Sequence, residues 1–272
     1  MGALRKIDRR FFMLMLLILF IIPAVRPLGI PIPVSKYTKE VYDYINSLPP
    51  GSLVVVATDV DVALWPEERA FTKAVLWHLL QRPIKFVIVN FGPDSPVLIN
   101  TVLEELNIEK TFPNKKYGED YVLLGYLAGG ETAYAAFCTD VHAVYETDYF
   151  GTPIEELPIM KELKDSSDID LLIHITGADA DAPVRQFVST FHIPYAAAPT
   201  IGWVPTYMPY YDAGLLIGLI QGVRGGAEYE LLVKRPGVGL ATTDCLTLGF
   251  LYVIILMILG NIDYFATRKK GG

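Results

Sequence analysis

The sequence predicts an α/β protein: a Rossmann-like three-layer domain with a mostly parallel sheet of about five strands, flanked by N- and C-terminal transmembrane helices. Three observations predict it. Between Lys36 and Pro236, short apolar runs such as "SLVVVAT" and "IKFVIVNF" alternate with stretches of helical spacing. The runs are apolar throughout rather than at every second residue, as strands covered on both faces are. Two longer uncharged runs, Phe11–Val25 and Cys245–Ile262, bracket the region.

Taken in order, the chain begins with a basic tail, residues 1–10, followed by a first transmembrane helix over 11–30. "PAVRP" places Arg26 and Pro27 where a signal-peptide cleavage site needs small residues, so the segment reads as an uncleaved anchor. The domain occupies 36–236, an ordinary single-domain size. It opens on a helix, "KYTKEVYDYINSL", closed by the turn "PPGS". The strand "SLVVVAT" leads into a helix with Pro66 in its first turn and Glu67 and Glu68 just after it. "IKFVIVNF", "DYVLLGYL", "IDLLIHITG" and "IPYAAAPT" are the further strands. Helices over "SPVLINTVLEELNIE", "ETAYAAFCTDVHAVY", "PIMKELKD" and "APVRQFVSTFH" separate them, and "YYDAGLLIGLIQGVRGGAEYELL" reads as one closing helix. A second transmembrane helix covers 243–262, and 263–272 form a basic tail.

The totals agree with this layout. The 272 residues are 52% hydrophobic and 19% charged, too apolar for an average soluble chain and too charged for a pure membrane bundle. A net charge of −7 gives no general attraction to phosphate backbones, which argues against a nucleic-acid partner. Cys138 and Cys245 fall in separate segments, so no disulfide is expected, and no Cys/His spacing fits zinc. Arg5, Lys6, Arg9, Arg10, Arg268, Lys269 and Lys270 lie on the terminal sides of the spans, against Arg26, Lys36, Lys39, Lys234 and Arg235 on the domain side. That excess places both termini in the cytoplasm and the domain outside it, in a two-pass cell-membrane protein.

In open α/β sheets ligands bind beyond the carboxyl ends of the strands. The first strand ends in Asp59 and Asp61. A buried strand followed by Asp-x-Asp resembles the first motif of the haloacid dehalogenase-like phosphatases. There the first acid is the nucleophile and Mg²⁺ ligand and the second a general acid, which would make Asp59 the nucleophile and Asp61 the acid. The sequence departs from that pattern at Ala63, where the family has Thr or Val, and at Asn90, where it has Ser or Thr. "TGADADAP" supplies Asp179 and Asp181 as further candidate metal ligands. Asp59 and Asp61 are therefore catalytic candidates, weighed against a plain acidic rim. No G-x-G-x-x-G, P-loop or G-x-S-x-G occurs, and no cofactor is expected. Gly129 and Gly130 precede a helix, but Glu131 in its first turn would repel an anion. His78, His142, His174 and His192 are scattered and read as structural, with His174 near a strand end.

Two further features point to contacts. "PTIGWVPTYMPYYD" reads as a stiff aromatic loop, with Trp203, Tyr207, Tyr210 and Tyr211 as anchors for a partner, an apolar ligand or lipid headgroups. Gly214, Gly218, Gly222 and Gly226 recur every fourth residue, which on one helix makes a flat face for close packing against another helix of this chain or of a second copy.

The stretches "PLGIPIPVSKYTKEVYDYINSLPPGSLVVVATDVD", "YGEDYVLLGYLAGGE", "TDYFGTPIEELPIMK" and "GLIQGVRGGAEYE" together resemble a family of membrane-anchored prokaryotic proteins with no assigned activity. The resemblance implies the anchors and the single α/β domain, and it carries over no catalytic residue. The functional expectation is a non-catalytic subunit held at the bilayer, assembling with itself or with other membrane proteins. The alternative is a Mg-dependent hydrolase or a small-ligand sensor using the acidic strand ends.

Overall fold

The computed structural model describes residues 8–268; the basic residues Arg5, Lys6, Lys269 and Lys270 lie outside them. In chain order the elements are α1 (Arg9–Val25), α2 (Lys36–Ser47), β1 (Leu53–Asp59), α3 (Trp65–Gln81), β2 (Lys85–Asn90), α4 (Ser95–Leu106), α5 (Ile108–Thr111), β3 (Tyr121–Tyr126), α6 (Glu131–Thr139), α7 (Val141–Val144), β4 (Leu171–Thr176), α8 (Asp181–Pro183), β5 (Tyr195–Pro199), α9 (Val204–Asp212), β6 (Gly218–Leu219), α10 (Gly222–Leu232) and α11 (Val238–Arg268). Helix α8 runs straight into π-helical turns over Val184–Thr190. The chain divides into two compact units, Pro33–Arg235 and the two flanking segments that join each other.

The Pro33–Arg235 unit is the expected α/β domain. Its sheet has six strands in the order β3-β2-β1-β4-β5-β6, all parallel. Both faces are covered, which explains the continuous apolar runs. Val54, Val56, Ile88, Ile173 and Ile175 pack with Phe71, Val75 and Leu79 of α3 on one face. Val55, Ala57, Val89 and Leu172 pack with Tyr134 and Phe137 of α6 and Phe187 of the π-turns on the other. Successive strands from β1 move outward in one direction, then restart at β4 in the other. The switch point of the topology therefore lies between β1 and β4, paired from Val54↔Leu171 to Asp59↔Thr176.

Two expectations fail in the last third of the domain. The aromatic segment is largely helical: α9 covers Val204–Asp212 with Pro205 in its first turn. The following run is not one helix. Gly214, at φ +75°, ends the chain path out of α9, Gly218 lies in the short strand β6, and Gly222, at φ +57°, opens α10. The four glycines thus share no helix face. Three of them approach other parts of the domain closely: Gly218 the Tyr37 carbonyl and Val41, Gly222 Glu67 and Ile201, Gly226 Ala70 and Phe71.

The other unit contains α1 and α11. Helix α11 is long and apolar enough, over Val238–Ala266, to cross a membrane, and it is the one such helix among the described residues. The expected N-terminal span is shorter than the 11–30 range: α1 has 17 residues and ends where Arg26 turns extended. At 1.5 Å per residue that is roughly 25 Å, short of a hydrocarbon core of about 30 Å. The two helices lie side by side and antiparallel. The Cys245 thiol donates to the Phe20 carbonyl, and Tyr252 Oη donates to the Phe12 carbonyl at 2.9 Å. Gly249 admits the Phe20 ring between these contacts. Where the chain leaves α1, the buried carboxylate of Asp244 accepts the backbone N–H groups of Leu28, Gly29 and Ile30 at 2.7–3.0 Å.

Candidate functional site

The carboxyl ends of β1 and β4 meet at the switch point. The Gly177 N–H donates to the Asp59 carbonyl at 3.1 Å, holding the strand ends together. Beyond β1 the chain turns into α3, and Asp61 makes that turn: its Oδ1 accepts the N–H groups of Ala63 and Leu64 at 2.7 and 3.0 Å. Asp59 Oδ1 faces Gly92 after β2, where an added Cβ would stand 2.9 Å away. Burial, then the neighbouring charge of Asp61, raises the Asp59 pKa.

Beneath these two acids sits Glu68, in the first turn of α3. It is fully buried; the Asp61 amide is the donor near its carboxyl, and no side chain donates to either oxygen. A carboxyl near a helix N-terminus ordinarily gains from the helix dipole. Here burial dominates, and Asp61, Asp59 and Glu67 add to it; the Asp61 amide offsets only part, and the pKa rises to about 8. At neutral pH this side chain holds its proton. Its Oε1 presses on Gly177: a Cβ there would lie 2.9 Å from Oε1, 2.6 Å from Leu64 Cδ1 and 3.8 Å from Asp61 Oδ2. Glu67, the next acid, is engaged elsewhere, accepting the Ile201 N–H at 2.6 Å.

On the opposite face of the sheet lies an aromatic floor. His174 is fully buried, its Nδ1 3.0 Å from Tyr195 Oη and its Nε2 unpartnered; burial pushes its pKa down to about 3, so the ring is neutral. Burial first, then Asp59, Asp179 and Glu131, raises the pKa of the Tyr134 phenol. Tyr207 is fully buried and donates to the Asp179 carbonyl at 3.2 Å. Of the expected aromatic anchors, Tyr207 is therefore core, Tyr210 donates to Asp181 Oδ1 at 2.8 Å, and Tyr211 donates to Glu40 at 2.6 Å. Trp203 alone of the four is classed among the exposed large hydrophobic side chains.

The structure brings Asp59 and Asp61 together and adds Glu68 to them, and it sends Asp179 and Asp181 to other tasks. Asp179 Oδ1 accepts the Asp181 N–H, and Asp181 holds Tyr210. Among the described residues no group of three or more His, Cys, Asp or Glu side chains is placed to hold a metal ion, and the four candidate aspartates are not gathered on one centre. At the Gly129–Gly130 turn, Glu131 is held by Arg185 at 2.7 and 2.8 Å and by Gln186, and it closes that helix end to an anion. Glu68 escaped sequence reasoning because an acid after Pro66 is what any helix start carries. Comparison with known protein families, curated proteins and solved structures finds no match for this chain.

Proposed function

We propose that this is a membrane-anchored binding domain whose small ligand enters the carboxyl-edge crevice between β1 and β4. One observation carries the reading: a fully buried carboxyl, Glu68, at the topological switch point, with the Asp61 amide nearby and no side chain donating to it. Buried polar groups in native proteins are nearly always fully paired, so a carboxyl this short of donors at the place where such sheets take ligands points to a missing partner. In this reading α11 spans the bilayer, α1 runs beside it as a second, shorter span, and the two tether the domain to the membrane, with both termini cytoplasmic. The test is a thermal-shift screen of the full chain in lipid nanodiscs against cationic, neutral and anionic small molecules. A compound that raises Tm for the wild type and not for Asp59→Asn supports the reading, since saturation at about 100 times Kd adds roughly 2.7 kcal/mol. No such compound in any class would overturn it.

A second reading, a non-catalytic subunit assembling with itself or with other membrane proteins, is favoured by the apolar side chains that α1 and α11 leave open, among them Phe11, Leu14, Leu17, Phe250, Ile254 and Ile258. Those faces suit lipid and partner helices alike. The mass of the particle in mild detergent separates the two: a fixed multiple or a co-purifying partner supports assembly, a monomer does not. The resemblance to membrane-anchored prokaryotic proteins is compatible with both.

A further inference from the structure

We propose that the ligand of the β1/β4 crevice carries a protonated amine, which seats between Asp59, Asp61 and Glu68. The inference rests on the ligand-binding reading above and names its chemistry. The charged groups that act most strongly on Glu68 are all acids: Asp61 and Asp59 from the end of β1, and Glu67 from its own helix. The β4 side contributes Gly177, which brings backbone and no side chain. No cation stands among the groups that act most strongly on Glu68, and no side chain donates to its oxygens, which have only the Asp61 amide nearby. An ammonium group offers positive charge and N–H donors in several directions, which separate carboxyl oxygens can share. A metal ion needs its ligands gathered on one centre, and these side chains are not so gathered. Asp59 and Asp61 are partly open to solvent, and the half-buried Leu64 meets Glu68 at Gly177. On entry the neutral Glu68 carboxyl releases its proton to solvent, leaving a carboxylate paired with the ammonium, and no other bond changes.

The test is calorimetry on the full chain in nanodiscs with methylammonium, putrescine, guanidinium, acetate, glycerol and Mg²⁺ as probes, in two buffers of different protonation enthalpy. The expected result is that methylammonium or putrescine binds about tenfold more tightly per pH unit between pH 6 and 7.5, releasing close to one proton on binding. Glu68→Gln should remove the pH dependence and weaken binding at least tenfold. Proton release by the wild type stands as evidence even if that variant fails to fold. Amine binding without proton release, or unchanged in Glu68→Gln, would overturn the proposal. Mg²⁺ binding that depends on Glu68 would replace the amine with a metal. Acetate or glycerol binding lost in Asp59→Asn would overturn the amine and leave the ligand-binding reading standing. Silence from every probe, together with an empty thermal-shift screen, would overturn both.

Discussion

Glu68 sets a pH dependence whose sign follows from its burial. A carboxyl raised from 4.5 to about 8 on folding binds its proton more tightly in the folded than in the unfolded chain. Stability is therefore fully kept below the unfolded value and falls as pH climbs toward 8. The loss amounts to a few kcal/mol, since each tenfold difference in proton affinity between the two states is worth ~1.4 kcal/mol. Carboxylates held low by cations, such as Glu105 beside Lys73 and Arg69, act in the opposite sense at lower pH, so the wild type must be compared with Glu68→Gln. Denaturant melts between pH 5 and 8 should show the wild type losing stability relative to the variant; parallel curves would refute the buried-proton assignment. Gly177→Ala should cost about 1–3 kcal/mol by the same melts, because its Cβ would stand 2.6 Å from Leu64 Cδ1 and 2.9 Å from Glu68 Oε1. Asp59 and Asp61 were readable because they end an apolar run. Glu68 was not, because its burial comes from β4 and Gly177, more than a hundred residues away.

Among the elements, the regular β-α alternation from β1 to β5 was readable, since near-continuous apolar runs bounded by Gly and Pro leave little choice. The stretch after β5 was not. Tyr210–Leu232 carries apolar residues throughout, and helical periodicity absorbs them easily. What decides the local path is Gly214 and Gly222 at positive φ, together with a short strand that completes the sheet beside β5. Position 218 then needs glycine because the Tyr37 carbonyl and Val41 of α2 leave no room for a Cβ. In the same way α9 forms because Tyr207 can bury its ring against the sheet while its hydroxyl reaches the Asp179 carbonyl. Tyr207→Phe should cost about 1 kcal/mol, the value of that hydrogen bond. Tyr207→Ala should cost about 3–5 kcal/mol through the cavity it leaves. A partner-contact residue would show neither loss in the isolated protein, so equal stability of all three forms would restore the contact reading.

For the whole molecule, α1 pairs along α11, the one described helix long and apolar enough to cross a membrane. Alone, 17 residues fall short of the bilayer core. Alongside a 31-residue helix, α1 has its inner face covered, and the buried Asp244 carboxylate satisfies the N–H groups of Leu28, Gly29 and Ile30 just where the chain leaves the helix. Asp244→Ala should strip those three donors of their acceptor, and hydrogen exchange at residues 28–30 should accelerate at least tenfold. The antiparallel order, Cys245 at Phe20 and Tyr252 at Phe12, puts the start of α1 and the end of α11 at the same end of the pair. If both helices cross, Asp8 and Ala266 face one side of the membrane and the α/β domain the other. Asp8→Cys and Ala266→Cys, each in a background with Cys138 and Cys245 replaced, should react with an impermeant maleimide only from the cytoplasmic side, and Lys39→Cys only from the opposite side. The charge count behind that orientation is narrow, seven basic residues against five. Inverted labelling would reverse the orientation and leave the hairpin intact. Labelling of Asp8→Cys and Lys39→Cys from one side, with Ala266→Cys from the other, would make α11 the single span and α1 a helix lying at the surface.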